Sequence, residues 1–131
     1  INEIKNKECN NIIEVVLPKT VHTVKYHAFY NSNNIAKVTM NGVVVIEKQA
    51  FALCRNITTL VLPTTLTSIG PAAFINSYDL SDIYYRGTEA QWNNIYIDPE
   101  NNPYDITGDN GEYGMNQNIV DATKHYNYTG Q

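Results

Sequence analysis

The sequence predicts a β-rich repeat solenoid, and three observations predict it. The pairs Ala28-Phe29, Ala50-Phe51 and Ala73-Phe74 follow one another at intervals of 22 and 23 residues. Ahead of each pair runs the same apolar frame: Ile12-x-x-Val15-x-Leu17, Ile35-x-x-Val38-x-Met40 and Ile57-x-x-Leu60-x-Leu62. A second frame then recurs, as Val21-x-x-Val24, Val43-x-x-Ile46 and Leu66-x-x-Ile69. This period and L-x-x-L-x-L spacing mark a leucine-rich repeat, in which each coil buries its apolar face only by stacking on its neighbour. The class is α/β by convention and β-rich here: a right-handed solenoid of about three and a half coils of 22–23 residues.

Each element follows from the chain in order. Lys5-Asn6 stand where an Ala-Phe pair would fall, so residues 1–11 read as a degenerate coil. In each later coil the first frame is an extended segment with Val15, Val38 or Leu60 pointing inward, and the second frame is another. Pro18 and Pro63 share one repeat position between the two frames, where a missing amide donor and a preset φ turn the chain; Asn41-Gly42 serves there in the middle coil. Alanine then allows close backbone approach and phenylalanine fills the space between coils. Leu80-x-x-Ile83-x-Tyr85 opens a fourth coil. Thr88 and Gln91, at capping-box spacing, predict a short helix near 88–95. Trp92 lies 23 residues after Ile69, which places its indole as a lid on the stack. Residues 1–97 are thus the solenoid with its cap helix, and 98–131 an irregular C-terminal extension with a tight turn at Asp109-Asn110-Gly111. Within it His125-Tyr126-Asn127-Tyr128 alternates as a strand would, and the end near Gly130-Gln131 is expected to be loose.

Composition removes several function classes. A net charge of −4 with nine Lys and Arg offers no footprint for a phosphate backbone, so no nucleic-acid partner is expected. The longest aliphatic run, Val43-Val44-Val45-Ile46, falls far short of the roughly 20 residues that span a bilayer, so no membrane insertion is expected. The chain starts at Ile1 without a charged-then-apolar leader and reads as a segment whose targeting signal lies outside it. Cys9 and Cys54 fall at equivalent positions two coils apart, beside Ser32 and Ser77. Two strand spacings separate them by roughly 10 Å, beyond the about 7 Å a disulfide spans; both are expected as free, buried side chains.

Alternation along the first frame supplies candidate binding positions. With Val15, Leu17 and their repeats inward, two columns face out: Val16, Thr39, Val61 and Tyr84, and beside them Glu14, Lys37, Thr59 and Asp82. An apolar strip flanked by charges is what a recognition face offers, although β-branched residues favour strands whether or not anything binds them. Glu14–Lys37 and Lys25–Glu47 are candidate cross-strand ion pairs. His22 and His27 lack a third ligand, so they read as turn residues and no metal is expected. Asp98, Glu100 and Asn102 have the opening spacing of a calcium loop, but Pro103 and Asp109 replace its glycine and closing glutamate, and an EF-hand is rejected. No phosphate loop, nucleophile elbow or base-paired cysteine occurs, so neither a catalytic residue nor a cofactor is expected. Tyr104, Tyr113, Tyr126 and Tyr128 are expected to pack on the cap. Asn56-Ile57-Thr58 and Asn127-Tyr128-Thr129 fit the glycosylation pattern.

The string Leu62-Pro63-Thr64-Thr65-Leu66-Thr67-Ser68-Ile69-Gly70-Pro71-Ala72-Ala73-Phe74 resembles the BspA-like leucine-rich repeats. The closing Ile83-Tyr84-Tyr85-Arg86-Gly87-Thr88-Glu89-Ala90-Gln91-Trp92 is similar to the segment that ends many such arrays. The chain departs from the pattern in lacking the first Ala-Phe pair and in having Met40-Asn41 in place of Leu-Pro. The resemblance implies a secreted or surface-attached bacterial protein, a protein ligand such as a host matrix or cell-surface protein, and no shared catalytic residues. The expected role is therefore non-catalytic recognition or adhesion by a monomeric module, with a structural spacer as the alternative.

Overall fold

The computed structural model describes residues 12–99 and 116–130. Its strands are β1 (Ile13–Leu17), β2 (Thr23–Val24), β3 (Ile35–Met40), β4 (Val45–Ile46), β5 (Thr59–Leu62), β6 (Ser68–Ile69), β7 (Asp82–Tyr85), β8 (Tyr96–Ile97) and β9 (Thr123–His125). Two short helices, α1 (Glu89–Asn93) and α2 (Gln117–Asp121), follow β7 and precede β9. The first frames stack as a parallel sheet A in the order β1-β3-β5-β7-β9, and the second frames as a parallel sheet B, β2-β4-β6-β8. Between them lies one continuous core, from Val24 through Phe51, Leu60 and Ile69 to Trp92 and Ile119. This is the expected leucine-rich repeat solenoid, with parallel strands and few helices.

The Ala-Phe corners are as regular as the strands. The rings of Phe29, Phe51 and Phe74 form one row, with centroids 5.0 and 4.9 Å apart and planes within 5° of parallel. Backbone bonds tie the corners together: Phe29 N–H donates to the Ala50 carbonyl and Phe51 N–H to that of Ala73, each at 2.8 Å. Two residues per corner are left-handed: His27, Gln49 and Ala72 just before the alanine (φ 62°, 55° and 54°), and Asn31, Leu53 and Asn76 two after the phenylalanine (φ 59°, 61° and 60°). Nothing in the apolar frame announces this feature, because such φ values are read from glycine or asparagine and only two of the six are asparagine.

Cys54 and Ser77 hold one repeat position. Each reaches back one coil to a phenylalanine carbonyl, Cys54 Sγ to Phe29 O and Ser77 Oγ to Phe51 O, both at 2.9 Å. Cys54 is a free, buried thiol; Cys9 lies outside the described residues. Gly42 is fixed by close approach, since a Cβ there would stand 2.3 Å from the Lys19 carbonyl oxygen.

Four expectations need correction. In the first coil Ile13, not Ile12, pairs with Ile35, and the register slips by one residue before Glu14 meets Lys37; Ile12 is accordingly exposed. In the fourth coil α1 is inserted between the frames, so Ile69 pairs with Ile97. Trp92 therefore does not continue the column of Ile69; it is buried with its ring edge-on to Tyr85 at 5.4 Å. Its helix carries the expected capping box, Thr88 and Gln91 each bonding the other's backbone. The extension is not irregular over 116–130: it supplies α2 and then β9, parallel to β7. That strand runs over Thr123–His125, ahead of the alternating residues that suggested it.

The segment from Asn116 meets the open end of the stack with side-chain amides. Asn118 Nδ2 donates to Phe74 O (2.7 Å) and Ser77 O (3.0 Å), and Asn116 Nδ2 to Gly70 O (3.0 Å) and Asp98 O (2.9 Å). One coil earlier the carbonyl equivalent to that of Phe74, Phe51 O, is met by the Ser77 hydroxyl of the neighbouring coil. Ile119, fully buried, seals the same end.

Candidate functional site

The eight residues expected on the outward face do line up on sheet A. Glu14, Lys37, Thr59 and Asp82 occupy successive positions in register across β1, β3, β5 and β7, and so do Val16, Thr39, Val61 and Tyr84. Their accessibility corrects the picture of an apolar strip. Val16 is 60% exposed and Tyr84 half-buried, whereas Thr39 and Val61 are buried, at 7% and 0%. A position on a central strand is flanked from both sides by its register partners at about 4.8 Å, and a tyrosine ring is large enough to shield the valine next to it. The reachable face thus has one aliphatic end at Val16, a polar middle at Lys37 and Thr59, and an aromatic end at Tyr84.

Both columns extend one strand further than expected. β9 places Thr123 beside Asp82 and His125 beside Tyr84. His125 stacks on Tyr84 with centroids 4.2 Å apart and planes 10° from parallel, and its Nε2 lies 2.9 Å from Asp82 Oδ1. Ser81 Oγ donates to the other Asp82 oxygen at 2.8 Å. These hydrogen bonds, from His125 first and Ser81 second, hold the Asp82 carboxyl below its ordinary pKa. Tyr128 leans on Tyr84 at 4.8 Å, and Arg86, 5.5 Å above the Tyr128 ring, donates from Nη1 to Gly130 O at 2.8 Å. The residues preceding Gln131 are thereby tied to sheet A rather than loose. His125 and Tyr128 do not share the repeat period, and only their alternation hinted at a strand.

Other candidates are placed as follows. Glu47 turns its carboxylate to the Tyr26 amide at 2.9 Å, the position where an ion pair with Lys25 was expected. His27 is stacked on Tyr26 at 3.8 Å, tilted against Tyr30 at 4.4 Å, and its Nε2 is 3.1 Å from Gln49 Oε1. Among the described residues no group of three or more His, Cys, Asp or Glu could hold a metal ion, and no helix is long and apolar enough to cross a membrane. Tyr126 packs against the core. Tyr104, Tyr113, the 109–111 turn and all of the calcium-like spacing beyond Asp98 lie outside the described residues.

The stacked parallel coils, the aligned phenylalanines and the aligned surface columns define a leucine-rich repeat solenoid. The profile of the BspA type leucine rich repeat region matches residues 1–96 in six copies, and the chain belongs to that family. A solved structure of a leucine rich cell surface protein from Faecalibacterium prausnitzii is similar, with 22% sequence identity and a TM-score of 0.43, over 69% of this chain and 36% of that one. This chain therefore spans little more than a third of that protein's solved chain. No curated protein matches it.

Proposed function

We propose that this chain is a non-catalytic protein-recognition or adhesion module, carried on or secreted from a bacterial cell surface, with the outward columns of sheet A as its contact face. The supporting observation is the register that runs from Glu14 through Lys37 and Thr59 to Asp82 and Thr123. It sets charges of both signs at fixed spacing beside Val16 and Tyr84 on a rigid, hydrogen-bonded support, the mixture of aromatic, aliphatic and polar groups that suits a protein partner. Membership of the BspA-type family supports the surface setting. Val61 and Thr39 support the face from beneath; contact falls to Glu14, Val16, Lys37, Thr59, Asp82, Tyr84 and His125.

The test is a binding screen of the soluble chain against immobilised host matrix and cell-surface proteins, repeated with a Val16→Glu/Tyr84→Ser double variant. A ligand bound by the parent chain should be lost by at least about tenfold in the variant, with the thermal transition retained. Unchanged binding by a folded variant removes the site assignment. Absence of any ligand for the parent chain favours a spacer that holds another domain outward.

A further inference from the structure

The fourth coil differs from the others in carrying α1 between its two frames. A groove of about 230 Å³ lies where that helix meets the turn between β5 and β6. Its floor is apolar: Leu66, Tyr85 and Ile95 line it and are 3%, 1% and 8% exposed. Its rim is polar: Thr64 and Thr67 from the turn, Gln91 from α1 and Asn94 from the helix C-cap, all exposed. Gly87 packs against the same groups. A Cβ there would stand 2.6 Å from Gln91 Oε1, 2.8 Å from the Tyr85 ring and 3.0 Å from Thr64 Cγ2. The β5–β6 turn, β7 and α1 thus converge at a point that only a residue without a side chain leaves open.

The lining narrows the chemistry. None of its residues is charged at neutral pH, so a phosphate, carboxylate or ammonium group finds no counter-charge in it. A wholly apolar ligand would strip water from the rim without replacing its hydrogen bonds. The Thr64 hydroxyl and the Asn94 side-chain amide form no hydrogen bond among the described residues. Gln91 engages Thr88 through Oε1 and leaves its Nε2 donors available. Amides and hydroxyls both donate and accept, as the hydroxyls of a sugar do, and a pyranose ring also has a face of C–H groups. We propose that this groove binds the terminal pyranose of a neutral glycan, its C–H face on Leu66 and Ile95 and its hydroxyls on Thr64, Gln91 and Asn94. The volume, below the roughly 300–1,000 Å³ of pockets for drug-sized ligands, suits a single ring. The groove shares no residue with the sheet A contact face, and a glycan ligand goes beyond the protein recognition assigned there.

The experiment titrates the full 131-residue chain, labelled with nitrogen-15, with the methyl glycosides of glucose, galactose, mannose and N-acetylglucosamine. Cyclohexanol, sodium glucuronate and N-acetylglutamine amide are titrated in parallel. With at least one glycoside, saturable shifts are expected at the Gln91 and Asn94 side-chain amides and the Leu66, Thr67 and Ile95 backbone amides. Asn94→Ala should weaken that response about tenfold, the scale of one hydrogen bond. Asn94→Trp, at the same exposed rim position, should abolish it while the sheet resonances stay in place. Equal responses to cyclohexanol or glucuronate, or a response to the glutamine amide in place of the glycosides, would overturn the proposal. So would an undiminished response in a folded Asn94→Ala chain, or no saturable response to any glycoside (water alone filling the groove). None of these results bears on binding by Val16 and Tyr84.

Discussion

The ring of Phe51 lies 4.9 Å from that of Phe74 and 4° from parallel to it, while its other face meets Phe29 at 5.0 Å. Phe51 and Phe74 are fully buried and Phe29 only partly so. Truncating a fully buried ring removes transfer energy and leaves a cavity, so Phe51→Ala should cost about 3–5 kcal/mol. Phe29→Ala should cost clearly less. Denaturant unfolding of both variants checks the order, and equal losses would contradict the row as a graded stack.

Leu53 adopts φ 61°, a left-handed conformation that its repeat counterparts Asn31 and Asn76 meet with asparagine. An ordinary L-residue pays roughly 1–2 kcal/mol there, and asparagine less. Part of the gain offsets lost contact of the half-buried leucine. Leu53→Asn should therefore stabilise the chain by about 0.5 kcal/mol, raising the melting temperature by about 2 °C.

Gly42 backs onto the Lys19 carbonyl. Because the obstacle is backbone, it cannot swing aside as a side chain would. Gly42→Ala should destabilise by about 1–3 kcal/mol through this overlap, measurable as a lower denaturant midpoint with unchanged slope.

Burial pushes the Cys54 thiol from about 9 up to about 11. A folded-state pKa above the unfolded value means that the folded chain holds the proton more tightly. The associated stability is complete below about pH 9 and lost as the pH rises towards about 11. In a Cys9→Ser background, stability should fall across that window, and Cys54→Ser should flatten the fall. At neutral pH a thiol reagent should modify Cys54 only as fast as the chain opens.

His125 joins the C-terminal strand to sheet A through Asp82 and Tyr84. His125→Ala should speed amide hydrogen exchange at Thr123–Tyr128 severalfold and leave Leu60 and Ile69 unchanged. Because Asp82 is held below its ordinary pKa, its share of this attachment should be present near neutrality and disappear as the solution is acidified below about pH 4.

The coils were legible because their cause is local and repeated: an aliphatic residue must face inward at the same step of every turn. The phenylalanine row and the in-line columns of sheet A follow from that repeat, and the Thr88 cap from its own local capping-box spacing with Gln91. Legibility failed where position depends on a single event. The slip before Glu14 and the α1 insertion shift register once, and a period cannot report a one-time shift. The buried state of Val61 depends on what flanks it, which alternation does not encode. His125 reaches the surface columns only because the Asn116–Asp121 segment turns the chain back onto β7, a contact between parts of the sequence with no common pattern.

Asn118 imitates, with one side chain, a bond that the next turn of the solenoid would otherwise make, and Asn116 fastens the same segment beside it. The molecule should therefore lengthen in one way and not in another. Duplicated turns spliced between existing ones inherit matching faces above and below, whereas a turn spliced after Ile97 would have to displace this adaptor and leave its amides with nothing to grip. Designed arrays that keep residues 98–131 as a terminal fitting, and vary the number of turns ahead of it, should remain soluble and cooperative.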